Sequence, residues 1–146
     1  MRKRTDPQRN VEKCPITFAL DIFGDKWSLI ILRDIVFKGK RHYSEFLKSA
    51  EKISTNILAD RLNRLERESL LTKRRDPDNQ AKFVYSLTPK GQDLIPLLLE
   101  MIVWSSKYDP QPDAPSSIIY GAPDNLLERT AGDRESLIDE IIANMN

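Results

Sequence analysis

The feature that most constrains this chain is a change of period near residue 70. Upstream, Leu58, Leu62 and Leu65 recur at i, i+4 and i+7 behind Ser54, a helix-capping residue type. Immediately downstream the helical period stops. Leu71–Arg75 and Phe83–Leu87 read as strands, and Asp76-Pro77-Asp78-Asn79-Gln80 between them is built of turn formers. A capped amphipathic helix thus runs directly into a hairpin with a basic stem and a polar tip. The fold class this predicts is mainly α with a small β-hairpin (α+β).

Three further helices are expected before that unit. Ile16, Ala19, Leu20 and Phe23 form an apolar face starting at Pro15, with Gly24 as the stop. Asp25 can cap a second helix, where Trp27, Ile30, Ile31, Asp34 and Ile35 recur at helical spacing and Leu29, Leu32 and Val36 widen the apolar surface. A helix apolar over so much of its circumference is expected at the centre of a small domain. Gly39 ends it. A short third helix is expected from Glu45 to Ser49, capped by Ser44, with Phe46 and Leu47 inward; Ala50 to Ile53 then turn the chain.

After the hairpin, Thr88-Pro89 supplies a cap and a first-turn proline. Leu94, Leu97, Leu98, Met101, Ile102 and Trp104 then define a long apolar helix, and Pro96 inside it predicts a kink or an unpaired carbonyl. The division that follows is a flexible basic arm at 1–13, a domain at 14–108, a proline-rich linker at 109–116 and an acidic helical extension at 117–146. A candidate helix at 133–145 carries Leu137, Ile138, Ile141 and Ile142 on one side.

Composition narrows the function classes. The chain has 146 residues, 40% hydrophobic and 31% charged, enough for one packed domain plus an extension. No apolar run approaches the length of a membrane span, and no apolar segment follows the basic start as in a secretory signal. Cys14 is the only cysteine and His42 the only histidine. No intramolecular disulfide can form, and there is no material for a metal cluster or a nucleophilic triad. We therefore expect no enzyme, no metal and no cofactor, and a reducing cytoplasmic setting. The net charge of +1 conceals an asymmetry. Residues 1–108 hold 21 Lys/Arg and 14 Asp/Glu, a net of +7, while residues 109–146 hold 2 and 8, a net of −6. A basic body suits a polyanion.

The order of elements is short helix, tight turn, capped helix, basic hairpin, which is the winged helix-turn-helix layout. The capped helix suits the major groove of B-DNA, with its N-terminal residues at base edges. The base-contact candidates are Ser54, Thr55, Asn56, Ala59 and Asp60; an Asn amide can donate to and accept from adenine. Candidates for phosphate and wing contact are Arg61, Arg64, Lys73, Arg74, Arg75, Lys82 and His42. Taken singly, each feature has an ordinary structural role: the leucines are core, Ser54 is a cap, and basic residues on a strand edge discourage aggregation. A winged-helix module for protein–protein association without sequence-specific DNA binding is the alternative.

The residues also resemble a known family. Cys14-Pro15, Ala19-Leu20, Gly24-Asp25-Lys26-Trp27, Ile31-Leu32-Arg33, Tyr43-Ser44-Glu45-Phe46, Ile53-Ser54, Arg61-Leu62, Leu65-Glu66 and Tyr85-Ser86-Leu87-Thr88-Pro89-Lys90-Gly91 look like the HxlR-type winged-helix transcriptional regulators of bacteria and archaea. The resemblance spans about residues 11–108. It implies a cytoplasmic, nucleoid-associated homodimer, with dimer contacts from the N-terminal and long C-terminal helices. It further implies double-stranded DNA with a pseudo-palindromic operator as partner, recognition by the helix starting at Ser54, and backbone contact by the wing. His42 stands where the family commonly has an arginine, and Thr55 where a proline is frequent. No small-molecule inducer is indicated.

Cys14 precedes Pro15 at a helix start, where the partial positive charge favours a thiolate; Lys13 would add to this and Glu12 oppose it. Some proteins similar to this one use the equivalent cysteine to sense oxidants or electrophiles. With one thiol per chain, the available products are an intersubunit Cys14–Cys14 disulfide, a mixed disulfide or an S-alkyl adduct. The other reading is a structural cysteine that caps or packs against the dimer helix.

Overall fold

The computed structural model describes residues 14–110 and 125–145. The basic arm, most of the proline-rich linker and the start of the extension lie outside the described residues.

Helix α1 spans Pro15–Phe23, with Cys14 as N-cap and the proline in its first turn, where no amide hydrogen is needed. It ends at Gly24, whose φ of −74° is right-handed. What requires glycine there is space, because a Cβ would stand 2.5 Å from the Leu20 carbonyl oxygen. Helix α2 spans Lys26–Lys38; the Asp25 carboxylate accepts from the Ser28 amide at 3.0 Å, and Gly39 closes the helix in the left-handed region at φ 65°. The expected central position of α2 is observed. Ile31 and Ile35 enter a core shared with Phe46, Leu58, Leu62 and Leu65, while Leu32, Val36 and Phe37 enter a second core with Leu98 and Leu99.

The third helix differs from expectation. Helix α3 is Tyr43–Phe46 and its N-cap is His42 rather than Ser44. The reason lies in Glu45, whose carboxylate reaches back to the His42 amide at 3.0 Å and the Arg41 amide at 3.2 Å and so fixes the start at His42. Leu47 to Ser49 fall in turns beyond it. Helix α4, Thr55–Arg67, starts as predicted: Ser54 Oγ accepts from the Ile57 amide at 3.3 Å.

Strands β1, Leu71–Arg75, and β2, Phe83–Leu87, pair antiparallel in the register Leu71↔Leu87 to Arg75↔Phe83. Tyr85 docks the hairpin on the helices. Its ring lies edge-on to Phe46 at 6.1 Å, and its amide donates to the Arg41 carbonyl at 2.9 Å. The single long helix expected after Thr88 is two helices. Helix α5, Pro89–Gln92, is capped by Thr88, and α6, Ile95–Tyr108, begins anew with Pro96 in its first turn. Pro96 therefore starts a helix instead of kinking one; a first-turn proline forfeits no hydrogen bond.

The extension contributes helices α7, Leu126–Gly132, and α8, Arg134–Met145. Helix α7 is additional to the one helix expected at 133–145. Leu126 and Leu137 are fully buried in the second core, against α2 and α6. Arg134 pairs with Glu100 of α6, and the Arg41 guanidinium donates to the Met145 carbonyl at 3.0 Å. The acidic extension therefore folds back on the body.

Candidate nucleic-acid interface

The leucine row of α4 faces the first core, so the opposite face must meet solvent. Ser54, Thr55, Asn56, Ala59 and Asp60 are all exposed there. The structure thus brings the five base-contact candidates onto one face and the adjacent helix start. Two contacts hold this helix against the rest of the motif. The Tyr43 hydroxyl donates to the Thr55 carbonyl at 3.1 Å, tying α3 to the first turn of α4. Asp25, already the cap of α2, accepts from Arg61 Nε at 2.8 Å.

Asp25 is consequently a junction. Burial pushes its carboxyl up, but hydrogen bonds from Ser28 and Arg61 outweigh this and hold it down at about 2. Arg61 also pairs with Asp60 at 2.5 Å, and Arg64 donates to the Asp21 carbonyl. The two arginines assigned to phosphate from sequence are therefore engaged with α1, the α2 cap and Asp60 in the free chain. Reaching a phosphate would require them to exchange these partners. Nothing in the spacing of the sequence pairs Asp25 with Arg61, 36 residues apart.

The wing presents a different arrangement. Arg74, Arg75 and Lys82 are exposed and Lys73 is half-buried. Lys73 Nζ lies 4.3 Å from the Phe83 ring centroid and the Arg75 guanidinium 4.5 Å from it. Arg75 also donates to the Gln80 carbonyl at 2.7 Å. Both cationic heads are thus within cation–π distance of one aromatic ring. His42 lines one cavity with Lys82 and Phe83, between α3 and the turn of the hairpin, but both its ring nitrogens are on carboxylates.

A buried ionic cluster supports the motif from behind. Asp34, placed by its spacing among apolar residues, is fully buried and accepts from Arg33 Nη2 at 2.7 Å, from Lys40 Nζ at 3.0 Å and from the Ser49 hydroxyl. Arg33 continues to Glu51 at 2.5 Å. Hydrogen bonds from Arg33 keep Glu51 down at about 2 against a smaller opposing effect of burial. The cluster joins α2 to the turn that precedes α4. Removing one partner would leave a buried charge unpaired.

Cys14 sits apart from this surface, at the start of α1. The Thr17 amide, the Thr17 hydroxyl and the Ile16 amide near its sulfur favour the thiolate and hold the thiol below the ordinary value. Ile16, Phe18 and Leu20 of α1 are exposed, as are Met101, Trp104 and Tyr108 of α6. Among the described residues, no group of three His, Cys, Asp or Glu is placed to hold a metal ion.

Comparison with known proteins agrees with this geometry. The family profile described as HxlR-like helix-turn-helix matches residues 22–113. An uncharacterized HTH-type transcriptional regulator of Bacillus subtilis, YdeP, is 37% identical over 97 residues, covering 66% of this chain and 75% of its own length. Among solved structures, PA1607, described as a candidate transcription factor, superposes with a TM-score of 0.64 at 34% identity, over 73% of this chain and 72% of its own. The redox regulator HypR in its oxidized form gives a TM-score of 0.56 at 31% identity, over 68% of this chain and 99% of its own. A mainly helical chain with a basic antiparallel hairpin, matched over this span to relatives named as transcriptional regulators, belongs to the HxlR-like helix-turn-helix family.

Proposed function

We propose that the chain is a sequence-specific regulator that binds double-stranded DNA as a homodimer in the cytoplasm. The observation that carries this reading is the exposed face of α4 beside the basic hairpin. Ser54, Thr55, Asn56, Ala59 and Asp60 enter the major groove; Lys73, Arg74, Arg75 and Lys82 meet the backbone, with Arg61 and Arg64 as further phosphate contacts. Base-edge contacts carry sequence preference, and phosphate contacts set affinity and register.

The outward apolar faces of α1 and α6 support a dimer built from these helices. Two-fold symmetry then requires a pseudo-palindromic operator with half-sites about 34–36 Å apart. Gel shifts of the reduced protein test this, on DNA from upstream of its own gene and on random duplex at several salt concentrations. A discrete shift that survives random competitor is expected. Arg75→Ala or Lys82→Ala should weaken binding to all sequences and lower the salt slope by about 1, whereas Asn56→Ala should relax sequence preference. If no duplex binds even at low salt, the same surface serves protein association instead.

The reading extends to Cys14 as an oxidant-responsive thiol. Its half-buried position at a helix start and lowered thiol value support this, as does similarity to a protein named as a redox regulator. Diamide should change the DNA affinity of the wild type and leave Cys14→Ser unaffected. An equal response from both proteins assigns Cys14 a structural role.

A further inference from the structure

His42 is the one histidine of the chain, and the contacts proposed above leave it out. Its ring lies between the start of α3 and the turn of the hairpin. Nδ1 is 2.7 Å from Glu45 Oε1, and Nε2 is 2.8 Å from Asp76 Oδ2. A carboxylate oxygen only accepts, and a neutral imidazole carries a single N–H. Both contacts are therefore made together only by the imidazolium.

Each carboxylate is itself fixed. Glu45 Oε1 also accepts from the His42 and Arg41 amides, at 3.0 and 3.2 Å. Asp76 Oδ1 accepts from the Asp78 amide at 2.8 Å, and the Asp76 amide donates to the Lys82 carbonyl at 2.9 Å. The ring thus spans from the helix-turn-helix to the root of the wing tip, with its side chain 27% exposed. No ring donor remains for a phosphate.

We propose that protonated His42 is a positioning residue for DNA binding, a strut that sets the wing against the helix-turn-helix by bridging Glu45 and Asp76. This rests on the DNA-binding reading above. When the ring loses its proton it can satisfy only one carboxylate. The wing tip then loses this tether while Tyr85 still docks the stem, and the Asp76 charge is left unneutralised.

The charged and titratable groups around the ring are Glu45 and Tyr43 from α3, and Asp76, Lys82 and Tyr85 from the hairpin. The adjoining Arg41 turns its guanidinium away, to the carbonyls of Ile35, Lys40 and Met145. Of these residue types only histidine changes charge near neutrality. Hydrogen bonds to Asp76 and then Glu45 raise the His42 value despite some burial. A raised histidine favours the bridged state fully below its ordinary value of about 6.5 and loses that effect as pH rises through the raised value. DNA affinity should accordingly fall as pH rises through that raised value.

Two measurements on the full chain test this, with His42→Gln and Asp76→Asn as variants. Asparagine at 76 keeps the acceptor for the Asp78 amide but removes the charge. The first is an NMR titration of the His42 ring and the amides of residues 76–82, without DNA. The ring midpoint should lie above the ordinary value and drop in Asp76→Asn, and the wing amides should follow it in wild type but not in His42→Gln. A ring midpoint at the ordinary value, or wing amides indifferent to it, overturns the proposal.

The second is binding of a random-sequence 30-base-pair duplex at low salt from pH 6 to pH 9. Wild type should lose roughly 3- to 10-fold in affinity relative to the His42→Gln profile, a comparison that subtracts the titration of Cys14 and the amino terminus. Asp76→Asn should bind more weakly than wild type at pH 6. If the ring instead touched phosphate directly, removing the Asp76 charge would strengthen binding and overturn the strut. Coincident wild-type and His42→Gln profiles would also overturn it. Absence of binding at every pH would defeat the DNA reading itself and with it this role, while the NMR titration would separately report whether the bridge exists.

Discussion

Leu58, Leu62 and Leu65 of α4 are at most 1% exposed, whereas Phe18 of α1 is 69% exposed and Trp104 of α6 is 65% exposed. All three helices carry apolar residues at helical spacing. The leucines of α4 find α2 and the hairpin within the same chain. The outer faces of α1 and α6 find nothing within the described residues, although the inner face of α6 is covered by α2 and the returning extension. Apolar periodicity therefore specifies that a face needs cover, and leaves open whether the same chain provides it.

That contrast can be broken most forcefully by removing the extension. A chain ending at Pro110 would expose Leu32, Val36, Phe37, Leu98 and Leu99, which now pack with Leu126 and Leu137. We expect a loss of about 5 kcal/mol or more, measured by urea unfolding. A truncated chain as stable as the full one would mean that the extension docks without contributing. Leu62→Ala, in the face that α4 buries, should cost about 2–5 kcal/mol by the same measurement.

A smaller effect is expected at the polar seam between α2 and α4. Asp25→Asn keeps the capping oxygen and loses the charge facing Arg61, for a loss of about 1 kcal/mol. Carboxyls held down contribute stability that is complete above their ordinary value of about 4 and lost as pH falls towards the native value. For Asp25 and Glu51 that native value is about 2. Wild type should therefore lose stability between pH 5 and pH 2, and Asp25→Asn should lose less over the same range; parallel acid profiles would show that the Arg61 pairing contributes nothing. The smallest effect on the folded protomer belongs to Phe18→Asp and Trp104→Asp. Circular dichroism should be unchanged, while sedimentation shifts from dimer to monomer. A wild type that sediments as a monomer at micromolar concentration would remove the dimer from the reading.

Much of the local architecture was legible because it depends on residues close in sequence. Asp25 and Ser54 announce helix starts through their own side chains, and β1 and β2 fall on the predicted residues because turn formers bracket them. Errors arose where two local signals competed. Ser44 is as good a cap as any serine, yet Glu45 reaches back two residues further and moves the start to His42. Pro96 breaks a periodic run, and the chain resolves it by ending one helix and starting another. The face of α4 was legible for the same reason: once the leucines are assigned to the core, the opposite positions follow from 100° per residue.

Sequence by itself determined the capped starts of α2 and α4, the two strands of the hairpin, the basic body and acidic extension, and the family, because each rests on short-range geometry or on residue order. Tertiary structure alone decided which cations stay available and which are engaged: Arg61 on Asp25, Arg33 on Asp34 and Glu51, His42 between Glu45 and Asp76. It also decided that the acidic extension folds onto α2 and α6. Arg61 with Asp25, Arg33 with Glu51 and His42 with Asp76 are contacts between residues far apart in the chain. Spacing along the sequence carries no information about them until packing brings opposite charges, or two apolar faces, within a few ångströms.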